Sequence, residues 1–337
     1  PVTAASFPIL YMTYDSMKPF PSRFLLLPAA LLLYCTNLSH GAEPAVLSDS
    51  LSKQTILFAH RDTCDLRMDI YRTETAQTEQ TAQPVMLFVF GGAFMKGERD
   101  KPYYIPYFRE LAAQGITAVS IDYRLGLKDR KISVFKTKPA DTAIRMAVED
   151  LFSATDYLIR HAAALNIDTS CIMLSGSSAG AVTVLHADYT LCNRLPLSEM
   201  LPQDFRYKGV LSFAGAIFSH EGRPRYRATP APTLFMHGDK DKVVPYNKIQ
   251  LFSKGLFGSK SLARRFRKAG YPYAFFTMQG QTHDVALTGM YHPDEITWFV
   301  RRYVFEHHRW QMNAELDELD RLPREAYTKP YATDANK

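Results

Sequence analysis

Hydrophobic and polar positions along the chain follow two periods, and the way these alternate predicts the architecture. Ile56-Leu57-Phe58-Ala59 and Leu66-Arg67-Met68-Asp69-Ile70-Tyr71 mix apolar with polar residues as half-buried antiparallel strands do. Pro84 to Phe90 is instead a continuous apolar run ending in Gly91-Gly92. Ile116–Ile121, Cys171–Leu174, Gly209–Ala214, Thr233–Met236 and Ala274–Met278 have the same character. Such runs are strands covered on both faces, as in parallel sheets. Between them lie stretches with helical spacing: Pro102 to Gln114, a long segment capped by Asp141, an Ala-rich stretch after Gly180, Asn247 to Lys268, and Pro293 to Arg309. In the long segment Ile144, Ala147, Val148, Leu151, Ala154 and Leu158 recur at three- and four-residue intervals. Strands alternating with helices, with no repeat and no long linker, predict one α/β domain with a mainly parallel sheet flanked by helices. That domain covers 43–310, between an N-terminal extension at 1–42 and a charged tail at 311–337.

Composition narrows the class. At 337 residues, 46% hydrophobic and 22% charged, the chain is ordinary for a globular protein. The net charge of +6 comes from scattered Lys and Arg, with clusters at Lys128 to Lys138 and Lys260 to Lys268 that read as solvated faces. No nucleic-acid module or interleaved aromatic pattern accompanies them, so a polyanion is not an expected partner. Near the N-terminus, Lys18 and Arg23 precede the apolar stretch Phe24 to Tyr34 and a small-residue exit at Ser39-His40-Gly41-Ala42. This is the pattern of a cleaved export signal starting at Met17, with residues 1–16 as an upstream addition. An 11-residue apolar run is too short for a stable span of a bilayer core roughly 30 Å thick. The expected location is therefore periplasmic or extracellular. Lipid attachment at Cys35 is disfavoured by the bulky Tyr34 before it. Without the leader, Cys64, Cys171 and Cys192 allow at most one disulfide, with its pairing open, and Cys171 reads as an apolar filler.

Candidate chemistry centres on Gly176-Ser177-Ser178-Ala179-Gly180, which follows a buried strand and opens a helix. In a G-x-S-x-G elbow the central serine sits on a strained turn, so Ser178 is the candidate nucleophile. A serine hydroxyl is nearly inert at neutral pH and needs a base within hydrogen-bond reach, and that base needs an acid to orient it. His283 lies in the loop after one buried strand, and Asp241 in the loop His237 to Pro245 after another. Asp239 is the alternative acid, because turn carboxylates often only satisfy nearby N–H groups. His237 reads as a structural residue of its turn, His292 as a helix-entry residue, and His307 and His308 as surface groups. Gly92 and Ala93, after the strand ending at Phe90, offer backbone N–H donors for an oxyanion, with Ala179 as a third. No metal-ligand spacing and no nucleotide-binding glycine pattern occurs, so neither metal nor cofactor is implied.

With these motifs in place, the sequence resembles the α/β-hydrolase carboxylesterases, in particular the bacterial esterase/lipase group whose oxyanion loop reads His-Gly-Gly-Gly/Ala-Phe. The similarity runs from about Leu66 to Phe305. It is densest at Phe90–Gly97, Val119–Gly126, Asn166–Gly180 and His237–Pro245. The order Ser178, Asp241, His283 is that group's order. The resemblance implies hydrolysis of small-molecule or acylated-sugar esters through an acyl-enzyme, without a cofactor, and says nothing of oligomeric state. One departure stands out. Phe90 occupies the position of the group's loop histidine, so any bracing hydrogen bond from that side chain is lost while the backbone donors survive. Two other readings compete. A prolyl-oligopeptidase-like peptidase normally carries a propeller, for which the about forty residues after the leader leave no room. A non-catalytic binding protein on the same scaffold would typically lack a triad member.

Overall fold

The computed structural model describes residues 50–317 except 63, 75–80 and 130–136. The expected leader, Cys35 and the tail beyond residue 317 lie outside the described residues. Twelve strands are present among them, nine of which form the central sheet. These are β1 (Leu51–Arg61), β2 (Cys64–Thr73), β3 (Gln83–Val89), β4 (Thr117–Ile121), β5 (Ile167–Ser177), β6 (Val210–Phe213), β8 (Thr233–Gly238), β11 (Tyr273–Met278) and β12 (Gln311–Leu316). Their order is β1-β2-β4-β3-β5-β6-β8-β11-β12. β2 pairs antiparallel with β1 and β4, and the remaining pairs are parallel. Val85 to Val89, Ile172 to Leu174 and Leu234 to Met236 are fully buried, as their continuous apolar runs predict.

Register decides where chemistry can sit. Val89 lies opposite Gly176, Ser177 opposite Phe213, Phe213 opposite Met236, and Gly238 opposite Met278. Five parallel strands therefore end at one edge, and their loops meet there. In open α/β sheets that carboxyl edge is where ligands bind.

The helices are α1 (Ile105–Ala113), α2 (Lys138–Arg160), α3 (Ala179–Asn193), α4 (Ser259–Ala269), the short α5 (Val285–Thr288) and α6 (Pro293–Phe299). After α6 the chain continues in π-helical form over Val300–Phe305. Three expectations need correction. Asp141 is not the cap of α2: the helix starts earlier, with Thr137 as N-cap and a proline in its first positions, and Asp141 instead meets His220 Nε2 at 2.7 Å. The start of the stretch expected as helix over Asn247 to Lys268 is a hairpin, β9 (Lys248–Leu251) with β10 (Lys254–Gly258), which joins β7 (Ala216–Ser219) in a separate three-stranded sheet. Gln311–Leu316, assigned to the charged tail, is the edge strand beside β11, with Met312, Ala314 and Leu316 alternating against polar neighbours. Among the described residues, Cys171 and Cys192 are free thiols.

One buried acid gives the fold a pH dependence. Asp188 on α3 is 4% exposed, and its nearest donors are Ala231 N at 3.4 Å and Cys192 Sγ at 3.9 Å. Burial pushes its carboxyl up to about 7. Because the folded pKa lies above the ordinary 3.8, the fold favours the protonated form, and this stabilisation is lost as pH rises through about 7. Asp188→Asn is therefore expected to raise the melting temperature at pH 8 and leave it nearly unchanged at pH 4, by an energy scaling as about 1.4 kcal/mol per pKa unit. Thermal melts of both proteins across pH 4–8 check this, and parallel curves would refute it.

Candidate active site

The loops at the carboxyl edge place three titratable or nucleophilic side chains in line. Ser178 caps α3 with φ 52° and ψ −115°, a left-handed conformation costly for any residue with a Cβ. It is held by its own N–H donating to Phe213 O at 2.9 Å, and by the close approach of Gly176 to Gly180 and of Gly180 to the Val89 carbonyl, where any side chain would collide. The strain turns the hydroxyl out of the helix and toward the loop after β11. There Ser178 Oγ lies 2.7 Å from His283 Nε2, and His283 Nδ1 lies 2.7 Å from Asp241 Oδ2. The carboxylate can only accept, so His283 carries its proton on Nδ1, and Nε2 is left to accept from the serine. All three residues are buried, at 6 to 8% exposure.

Asp239 is elsewhere engaged. It accepts from Gly280 N at 2.8 Å and pairs with Lys240 at 3.3 Å, which is the turn role rather than the orienting one. Of the other histidines, His292 is buried at the entry of α6 with Glu295 3.7 Å away, and His308 stacks on Trp310. The donors expected for an oxyanion lie beside the elbow. A Cβ built on Gly91 would come 3.1 Å from Ser178 Cβ, and Gly92 and Ala93 follow with φ of 124° and 56°. Ala179 is the first residue of α3, whose leading N–H groups have no partner within the helix. Among the described residues, no three His, Cys, Asp or Glu side chains converge to hold a metal ion.

Parts of the chain are similar to known proteins. Residues 68–195 match the family described as BD-FAE, and residues 133–269 match the Phospholipase/Carboxylesterase family. Lipase 2 of Moraxella sp. (strain TA144) is 31% identical over 135 residues, covering 39% of this chain and 28% of that protein. Non-reducing polyketide synthase mapC' of Penicillium brevicompactum is 32% identical over 98 residues, covering 28% of this chain and 4% of the synthase. The chain thus spans less than a third of the length of these relatives. Among solved structures, the propionate-bound esterase Est2 of the planctomycete Thermogutta terrifontis aligns with a TM-score of 0.56 at 19% identity, over 75% of this chain and 95% of that one. Thermogutta terrifontis esterase 2 phosphorylated by paraoxon aligns with a TM-score of 0.55 at 18% identity and the same coverage. The chain has the α/β-hydrolase fold.

Further side chains around the three groups hold them in place. His237, on the last turn of β8, is fully buried, and its Nε2 lies 3.2 Å from Asp241 Oδ2 and 3.1 Å from Val244 O. Both partners accept, so Nε2 carries the proton and Nδ1 accepts from Ser259 Oγ at 2.8 Å. Asp241 Oδ1 takes N–H bonds from Val243 and Val244 at 2.8 and 3.0 Å. Burial alone would raise the Asp241 carboxyl. The hydrogen bonds from His237 and His283 outweigh it and hold the group well below the usual carboxylate range. Ser177, next to the candidate nucleophile, donates to Ala286 O at 2.6 Å and so pins the histidine loop to the elbow.

The loop in which Phe90 stands is braced from the neighbouring strand end. Tyr123 Oη donates to Phe90 O at 3.0 Å, and the two rings pack with centroids 4.5 Å apart. Downstream, Arg99 pairs with the fully buried Asp69 at 3.0 Å and with Asp122 at 2.8 Å, and Ser120 Oγ donates to Arg99 O at 2.7 Å. A backbone contact from the neighbouring strand end thus does the bracing expected of the missing side chain. No sequence signal marks Tyr123 for this, since its reach to Phe90 depends on the parallel pairing of β3 with β4. Tyr104 is core, packed edge-on against Phe88. Phe94 is buried as well.

Proposed function

We propose that the protein is a serine carboxylesterase that cleaves small carboxylic esters, acylated sugars among them, through an acyl-enzyme. The observation that carries this reading is the unbroken hydrogen-bond line Ser178–His283–Asp241, with both links at 2.7 Å. Ser178 Oγ attacks the acyl carbon as His283 Nε2 takes its proton, and the bond forming to carbon displaces the carbonyl electron pair onto oxygen. The N–H groups of Gly92, Ala93 and Ala179 receive that oxyanion; such donors are typically worth several kcal/mol in the transition state. Collapse expels the alcohol, which takes the proton back from His283. Water then repeats the sequence on the acyl-enzyme, releasing the acid and regenerating Ser178.

The matches to lipase, esterase and phospholipase/carboxylesterase proteins support ester over peptide chemistry. The test pairs a panel of p-nitrophenyl acyl esters with prolyl-peptide p-nitroanilides, followed by paraoxon, the reagent that phosphorylates the Thermogutta esterase. Ester turnover, no anilide turnover and loss of activity at one phosphoryl group per chain on the peptide containing Ser178 are expected. Faster anilide turnover would transfer the protein to the peptidases, and a label on any other residue would overturn the assignment of the nucleophile.

A further inference from the structure

The small sheet turns its apolar side outward. In an antiparallel sheet with one face on the core, the other face is normally polar. Here Phe257 and Ile217 point inward and are fully buried, while the opposite face carries the row Ile249, Leu256 and Phe218 across β9, β10 and β7. Ile249 is 67% exposed, and Leu251, two residues on and so on the same face, is 65% exposed. The tip of the hairpin is Phe252, 89% exposed with φ 53°. A two-residue hairpin turn favours glycine or asparagine at such a position, and a bulky aromatic there is an outlier. Turn geometry therefore does not account for the phenylalanine, and neither does packing.

The charge around this face is mainly positive. From Lys242 to His283 the chain contains no Asp or Glu, while Lys242, Lys248 and Lys254 are exposed and Lys260 lies over the Tyr246 ring. Gly222 N bonds to Ser253 O at the hairpin tip, and its loop brings Arg223 and Arg225 against a single acid, Glu221. Lys248 on the edge strand β9, with Lys254 beside it on β10, opposes pairing with a second copy, because the same cations from both chains would be brought together. They suit an anionic plane, to which each basic residue adds attraction while an apolar tip enters the headgroup boundary. The small sheet is also tied to the candidate site, because Ser259, just past β10, bonds to His237.

We propose that the β9–β10 hairpin docks the protein on the surface of an anionic lipid bilayer, with Phe252, Leu251 and Ile249 inserted and Lys248 and Lys254 on the headgroups. This does not rest on the ester chemistry. The test is co-sedimentation of the full chain with vesicles of phosphatidylcholine and phosphatidylglycerol, against vesicles of phosphatidylcholine alone, in low and high salt. Binding is expected on the mixed vesicles only, weakened by salt, and about tenfold or more weaker in Phe252→Glu and in the Lys248→Glu/Lys254→Glu pair. Circular-dichroism melts matching the unaltered protein show that these variants fold. Equal binding by the variants, or absence of binding, would overturn the proposal. So would a dimer in sedimentation velocity that the same substitutions dissolve, since the face would then belong to a second copy.

Discussion

Ser178→Ala is expected to reduce kcat for a p-nitrophenyl ester by about a million-fold and to abolish phosphorylation by paraoxon; losses of that size follow removal of a serine nucleophile whose base and acid stay in place. No neighbour can substitute for it. The adjacent hydroxyl, Ser177, is directed at Ala286 O, 2.6 Å away, and so is turned from the reacting position. The substitution leaves the elbow intact, because the Ser178 N–H to Phe213 O bond is a backbone contact and alanine adds no atoms. A melting temperature within a degree or two of the parent would separate loss of chemistry from loss of fold. Retained labelling in the variant would refute the role given to Ser178.

Asp241→Asn should have the next largest effect, about 10⁴-fold in kcat, because an amide no longer fixes the proton of His283 on Nδ1, and the tautomer with Nε2 protonated cannot accept from the serine. In this protein the change also strikes a second histidine. Asp241 Oδ2 receives N–H groups from both His283 and His237, and an amide nitrogen at that position would set donor against donor, whereas Oδ1 would keep its bonds to Val243 and Val244. A lower melting temperature is therefore expected beside the lost rate. The pH dependence has a definite sign. The folded carboxyl is held below the ordinary 3.8 by its two histidine partners, so the stability it contributes is present above that value and is lost as pH falls through and below it. The unaltered protein should thus lose stability on acidification more steeply than Asp241→Asn. Melts between pH 3 and 7 measure this, and equal slopes would remove Asp241 from its charged, doubly bonded role.

Much of the fold was legible because burial on both faces leaves a nearly continuous apolar signature. Val85 to Val89, Ile172 to Leu174 and Leu234 to Met236 are such runs, and the glycines of the elbow mark a place where backbones nearly touch. Elements with one face toward solvent were read less well. β9 and β10 hold lysines, a glutamine and exposed apolar residues within a basic stretch that imitates helical spacing, and β12 hides its alternation of Met312, Ala314 and Leu316 inside a charged tail. Their state depends on which strand lies beside them, and that neighbour is far away in the chain.

The chemistry divides along the same line. Residue types and their order along the chain were enough to single out Ser178 and His283 and to favour Asp241 with Asp239 as the alternative, because the reaction they suit needs a nucleophile, a base and an acid at strand ends. What only tertiary structure decided is how each is held. Asp241 rather than Asp239 faces the imidazole because the turn after β8 points one carboxylate inward and gives the other to Gly280. His237, Ser177 and Tyr123 acquire their positioning bonds from the parallel register that stacks five strand ends at one edge. Sequence determines which groups are present and roughly which loop carries each. Distances near 2.7 Å between groups 42 and 105 residues apart are set by the packing of the sheet.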